Sequence, residues 1–81
     1  MHARARLQER GIRERLVHET LRHPEQVVEL GGGQKVYHRR HRDKKQQKEY
    51  LVRVFVEMRH ATMRVRSVYR TSKIHKYWRV P

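Results

Sequence analysis

Within three segments between Lys35 and Arg70 cations recur at every second position among apolar residues, and this period constrains the fold more than any other feature. Lys35, Tyr37 and Arg39 alternate with Val36 and His38. Arg53, Phe55 and Glu57 alternate with Val52, Val54, Val56 and Met58, and Arg64, Arg66 and Arg70 alternate with Met63, Val65, Ser67 and Tyr69. Successive strand side chains point to opposite faces, so each segment has one apolar and one mostly cationic face. Pairing the three segments into a sheet is expected to gather the cations into one patch with Tyr37 and Phe55 among them. Such a patch attracts a polyanion, of which nucleic acid is the commonest.

Composition sharpens that expectation. The chain has 81 residues and reads as a single domain over 1–81, close to the size at which one core just supports a fold. Without cysteine it has neither disulfides nor thiolate metal ligands, which fits a reducing compartment. Apolar runs are only a few residues long, so no membrane span or signal segment is expected and the reading is cytoplasmic. Lysine and arginine number 21 against 8 acidic residues, a net charge of +13, and self-repulsion of that size favours an anionic partner. Arginine outnumbers lysine 15 to 6. The guanidinium fork matches phosphate geometry, although a GC-rich or heat-adapted source accounts equally well for that ratio.

Residues 2–10 suit a short helix ended by Gly11, and residues 12–22 a second with Ile12, Leu16, Val17, Thr20 and Leu21 on one stripe. His23-Pro24 stops it. Val27–Leu30 reads as a short strand, Gly31–Gly33 as a turn, and Gln34–His38 as the next strand. Arg39–Lys48 is basic, lacks periodicity and reads as a solvated hairpin loop. Strands follow over 49–58 and 62–70, joined by a tight turn at Arg59-His60-Ala61. Thr71–Trp78 closes as one helical turn or an edge segment. The expected fold is α+β: two N-terminal helices packed on one face of a four-stranded antiparallel sheet.

Two motifs at the ends carry a family resemblance. His2-Ala3, Arg6-Leu7 and Arg10-Gly11-Ile12 open the chain, with Pro24 after the second helix, and Tyr69, Thr71, Ser72, Lys73, Lys76 and Tyr77 form a Tyr-x-Thr-Ser-Lys-x-x-Lys-Tyr close. The chain thereby resembles, over nearly its whole length, a family of short bacterial proteins known as a domain of unknown function. The resemblance implies a fold similar to the BrnT and RelE toxins of toxin–antitoxin pairs. It further implies a metal-independent ribonuclease, needing no cofactor, that cuts RNA and is held inactive by an acidic antitoxin protein.

The candidate residues follow from both readings. Metal-free RNA cleavage needs a base for the 2′-hydroxyl, cations over the phosphate and an acid for the leaving oxygen. His2 and Arg6, four apart on one helix face, can serve one phosphate, and an unpositioned terminal histidine is the competing account. Arg66 and Arg70 are candidates to stabilise the pentavalent phosphorus intermediate. Lys35, Tyr37, Arg39, Arg53 and Arg64 would bind the nucleic acid, with ordinary cross-strand packing as the alternative for the aromatics. Thr71, Ser72, Lys73, Lys76 and Tyr77 can hold phosphate, and Ile74, Tyr77 and Trp78 equally suit a tail pinned to the core. Tyr69 alternates in phase with residues directed at the helices, which suggests core, while its motif position suggests catalysis. Histidine spacings such as His38/His41 and His18/His23 match no metal motif, and no metal ligand set is expected. A non-catalytic RNA- or DNA-binding module is the second functional class that fits.

Overall fold

The computed structural model describes residues 14–80. It is an α+β domain. A helix over residues 14–22 (α1) precedes four strands, β1 (Gln26–Gly31), β2 (Gln34–Asp43), β3 (Lys48–Arg59) and β4 (Thr62–Thr71), and a four-residue helix α2 (Ile74–Tyr77) follows. The strands form one antiparallel meander in the order β1-β2-β3-β4. Two N-terminal helices were expected on the sheet; the described residues contain one, and the helix expected over residues 2–10 lies outside them. No helix among the described residues is long and apolar enough to cross a membrane.

α1 packs Leu16, Val17 and Leu21 against Val52, Val54 and Val56 of β3, with Tyr37 and Val68 alongside. Thr20 is buried on the same stripe because its hydroxyl donates to the Leu16 carbonyl at 2.6 Å, which satisfies it without a partner outside the helix. The His23 N–H closes the last turn on the Glu19 carbonyl at 2.9 Å before Pro24. β3 is the centre of the molecule. Val52, Val54 and Val56 face α1, while Leu51, also fully buried, lies on the other face. A strand buried on both sides needs a second covering layer. The C-terminal segment supplies it.

The segment expected to be a basic loop, Arg39–Lys48, is mostly strand. β2 continues through Asp43, and Arg40↔Leu51, His41↔Tyr50, Arg42↔Glu49 and Asp43↔Lys48 are partners. Opposite charges across the last two pairs, and apolar or aromatic bodies across the first two, make this basic stretch compatible with a ladder. Only residues 44–47 turn, held by Asp43 Oδ1, which accepts from the N–H groups of Lys45 at 2.9 Å and Gln46 at 3.1 Å.

The two tight turns differ in residue chemistry. Gly31, Gly32 and Gly33 have φ of 91°, 61° and 79°, which glycine adopts freely, and Gly33 lies so close to Met58 that a Cβ would sit 3.0 Å from its carbonyl oxygen. At the β3–β4 turn His60 and Ala61 have φ of 50° and 66°, the positive pair of a type I′ hairpin, but neither is glycine. Ala61→Gly should therefore stabilise the fold by about 1 kcal/mol, read as a higher urea midpoint at unchanged slope. The equivalent change in the opposite direction, Gly32→Ala, should lower it. An Ala61→Gly protein no more stable than its parent would contradict the strain assigned to this turn.

Candidate functional site

Register decides which side chains meet. Lys35, Tyr37 and Arg39 lie opposite Val56, Val54 and Val52, on the α1 side of the sheet. Arg53 and Phe55 lie opposite His38 and Val36, on the other side. The single patch expected from the alternation is thus divided between two faces. β4 is divided as well, because the pairing slips between Phe55 and Val56, with Val56 opposite Val65 and Phe55 opposite Ser67. Arg66 is the extra residue of that bulge. One consequence is that Val65 and Val68 share the α1 side. Another is that Tyr69, expected to face the helices, lies opposite Arg53 on the far side, 43% exposed.

Most of the cations on the expected patch also have carboxylate partners. Lys35 pairs with Glu29 at 3.4 Å, Arg39 with Glu19 at 3.2 Å, Arg66 with Glu57 at 3.3 Å and Arg70 with Asp43 at 3.4 Å. Arg39 additionally donates to the His23 carbonyl at 2.8 Å, where it caps the C-terminus of α1. Arg70 lies 4.2 Å from the Tyr50 ring. Arg39 and Arg70 thereby tie α1, β2 and β4 together on the helix side, whereas Glu57 is in phase with Arg53 and Phe55, which puts its pair with Arg66 on the far face. Arg64 stands opposite Glu57.

A different constellation lies on the far face, along one row across all four strands. Gln26 of β1 is opposite His38 of β2, His38 is opposite Arg53 of β3, and Arg53 is opposite Tyr69 of β4. The C-terminal segment lies over this row. Trp78 stacks on His38 with ring centroids 6.4 Å apart and planes at 26°, and Arg40 sits 5.2 Å from the Trp78 ring. Glu25 holds Arg40 with both oxygens, at 3.1 and 3.2 Å, and accepts its backbone N–H at 2.7 Å. Those bonds, led by the guanidinium contact, hold the Glu25 carboxyl below its usual range against the opposing effect of burial.

Arg53 is the central group. Its guanidinium carbon lies 4.0 Å from the Tyr77 ring centroid, 4.9 Å from Phe55 and 5.9 Å from Tyr69. Its Nε donates to His38 Nε2 at 3.1 Å, and among the described residues no carboxylate pairs with it. The cage is thus built of ring faces and one neutral acceptor. Tyr69 and Tyr77 pack edge to face with centroids 5.9 Å apart, and their hydroxyls are 3.5 Å apart. The Tyr69 hydroxyl, then the Lys76 ammonium and Arg53, lower the Tyr77 phenol's pKa, with desolvation opposing. A half-exposed phenol with a lowered pKa, beside a guanidinium whose terminal nitrogens have no carboxylate among the described residues, can exchange a proton with a ribose hydroxyl.

Several residues singled out from the sequence gather around Tyr77 here: Arg53 and Tyr69 lie against its ring and each other, and the Lys76 ammonium is 5.4 Å from that ring. Thr71 is buried, its hydroxyl accepting the Lys73 N–H at 3.0 Å in the turn leading to α2, and Ser72 and Lys73 are exposed beside it. Lys35, Tyr37, Arg39 and Arg70 are on the α1 side. His2 and Arg6 lie outside the described residues. The sequence reading did not place Gln26, His38, Arg40 or Trp78 in the site, and held Tyr77 both as a phosphate-binding residue and as an anchor of the tail. The one signal for His38 was its phase: it shares the parity of Val36, which is buried. Among the described residues no three His, Cys, Asp or Glu side chains gather as a metal site would require.

His38 is 1% exposed, and its pKa is pushed down to about 4 by desolvation, with Arg53 and Arg79 adding to the shift. The unfolded imidazole takes up a proton near pH 6.5 and the native one only near pH 4, so stability is full above pH 6.5 and declines between those values. The slope for one such group reaches about 1.4 kcal/mol per pH unit. Urea midpoints measured from pH 7 to 5 should fall in the parent and stay flatter in His38→Gln, whose amide keeps an acceptor and a donor but does not titrate. Equal slopes would remove His38 as the cause. Glu25 and Asp43, both lowered, add their losses only as pH falls through the carboxylate range.

No protein-family model, curated protein or solved structure matches this chain.

Proposed function

We propose that the protein binds RNA on the face covered by the C-terminal segment and cleaves it there without a metal ion, as the toxin of a toxin–antitoxin pair. The observation that carries this reading is the Tyr69–Tyr77 phenol pair set over the Arg53 guanidinium, which has no carboxylate partner among the described residues. Tyr77 takes the proton of the 2′-hydroxyl, the oxygen attacks the adjacent phosphorus, and Arg53 and Lys76 stabilise the charge that develops on the phosphorane oxygens. Collapse releases the 5′-oxygen, which takes a proton from the pair or from water, and leaves a 2′,3′-cyclic phosphate. Exposed bases beside the scissile bond stack on Tyr69 and neighbouring rings. The net charge of +13 supplies the attraction, and an acidic antitoxin would neutralise it. The family resemblance of the end motifs supports the same reading, and its closing motif supplies Tyr69, Lys76 and Tyr77.

The purified protein, incubated with a labelled RNA pool in EDTA, should release fragments ending in 2′,3′-cyclic phosphate. Tyr77→Phe should slow cleavage by about 100-fold or more while RNA affinity is kept, and Arg53→Met should slow it comparably. Arg70→Ala and Arg39→Ala, on the α1 side, should change the rate only about threefold. Intact RNA that is nonetheless bound, with the salt dependence of phosphate contacts, would leave a non-catalytic nucleic-acid-binding module as the function. Absence of both binding and cleavage would dispose of either reading.

A further inference from the structure

We propose that His38 is a positioning residue: it fixes the Arg53 guanidinium and, through Gln26, the chain segment that carries Tyr77, so that both address one phosphate. This inference rests on the cleavage reading above and assigns a role to a residue that never reaches the substrate. His38 is buried beneath Trp78, with 1% of its surface exposed.

The hydrogen bonds determine the tautomer. Arg53 Nε can only donate, so His38 Nε2, 3.1 Å away, is the accepting nitrogen. The proton is then on Nδ1, which donates to Gln26 Oε1 at 3.0 Å. Gln26 is itself oriented by backbone: its Oε1 accepts the Arg79 N–H at 3.0 Å and its Nε2 donates to the Arg79 carbonyl. The amide cannot turn over without losing both bonds to Arg79. The docked tail therefore sets Gln26, Gln26 sets the imidazole, and the imidazole sets the guanidinium.

The arrangement also explains how Arg53 stays available. Its Nε is occupied by a neutral acceptor, not a carboxylate, so its charge is not cancelled and its two terminal nitrogens keep donors for an anion. The Tyr77 ring, 4.0 Å from the guanidinium carbon, fixes its plane, and Tyr77 lies only two residues before Arg79, which Gln26 holds. The groups that face His38 are Gln26 from β1, Arg53 from β3, and Trp78 and Arg79 from the tail, with Arg40 of β2 beyond Trp78 and neutralised by Glu25. None offers a carboxylate to a protonated imidazole, and Arg53 and Arg79 repel one. The neutral ring is the form this site is built to hold.

Two measurements test this. Imidazole ¹⁵N spectra of the intact protein at pH 7 should show His38 neutral with the proton on Nδ1; an Nε2–H tautomer or an imidazolium would overturn the proposal whether or not the protein cleaves RNA. Kinetics then compare His38→Leu with His38→Gln, both checked for folding by circular dichroism. His38→Leu should lower kcat by roughly 100-fold, the cost of a misplaced catalytic group, with KM changed by less than about threefold. His38→Gln, which accepts from Arg53 and donates to Gln26, should recover most of that loss. A wild-type enzyme that cleaves while His38→Leu cleaves equally well would overturn the positioning role and leave the proposed function standing. A wild-type protein that neither binds nor cleaves an RNA oligonucleotide overturns the function, and this role with it.

Discussion

A guanidinium in the middle of the most buried strand has to be solvated by protein, and the way Arg53 is solvated organises the far half of this molecule. Desolvation works against its charge, and the protonated state survives because rings and an imidazole nitrogen replace water. A carboxylate partner would have been the simpler solution, and it would have cancelled the charge. Using a neutral acceptor instead requires a buried histidine of defined tautomer, which requires Gln26, which requires the tail. The cross-strand row Gln26–His38–Arg53–Tyr69 takes one residue from each strand, so the cage exists only when all four are in register.

The cations of the α1 side are handled differently from Arg53. There the cations meet acids: Lys35 with Glu29, Arg39 with Glu19 and the end of α1, Arg70 with Asp43. Exposed pairs of this kind contribute about 0–1 kcal/mol each. Their larger effect is to separate like charges that would repel across adjacent strands. On the far face Glu25 takes Arg40 and Glu57 takes Arg66, while Arg53 has no carboxylate partner among the described residues. That difference at Arg53, more than the total charge, is what the proposed anion site rests on.

Much of the architecture was legible in the alternation, since four strands, a stop at Pro24 and the glycine turn all follow from local chemistry. Register was not. Alternation states that Lys35 and Tyr37 share a face but not which face, because Val36 and His38 are as suitable for burial under the tail as Tyr37 is under α1. Arg39–Asp43 read as loop because its propensity is poor; the facing residues Tyr50, Leu51 and Glu49, distant in sequence, make it strand. Tyr69 was misplaced by one bulge at Arg66, whose only sequence trace is the spacing of three between Val65 and Val68. Of the site, Arg53, Tyr69 and Lys76 could be named from residue type and motif. The His38–Gln26 relay could not, because it depends on a contact between β1 and the chain's last residues.

The tail's double duty follows from size. A chain this short has little left for a second layer, and over the far side of the sheet Trp78 stacks on His38 and Tyr77 lies on Arg53, in a segment with one turn of helix. A layer that thin cannot bury everything beneath it. The aromatic rings that close the core are therefore also the rings at the surface, and Tyr77 touches Arg53 on one side and Tyr69 on the other. Packing and the proposed binding surface are the same few side chains. An anion bound at Arg53 would consequently stabilise the docked tail, and the docked tail is what orients Arg53: ligand binding and completion of the fold are one equilibrium on this face.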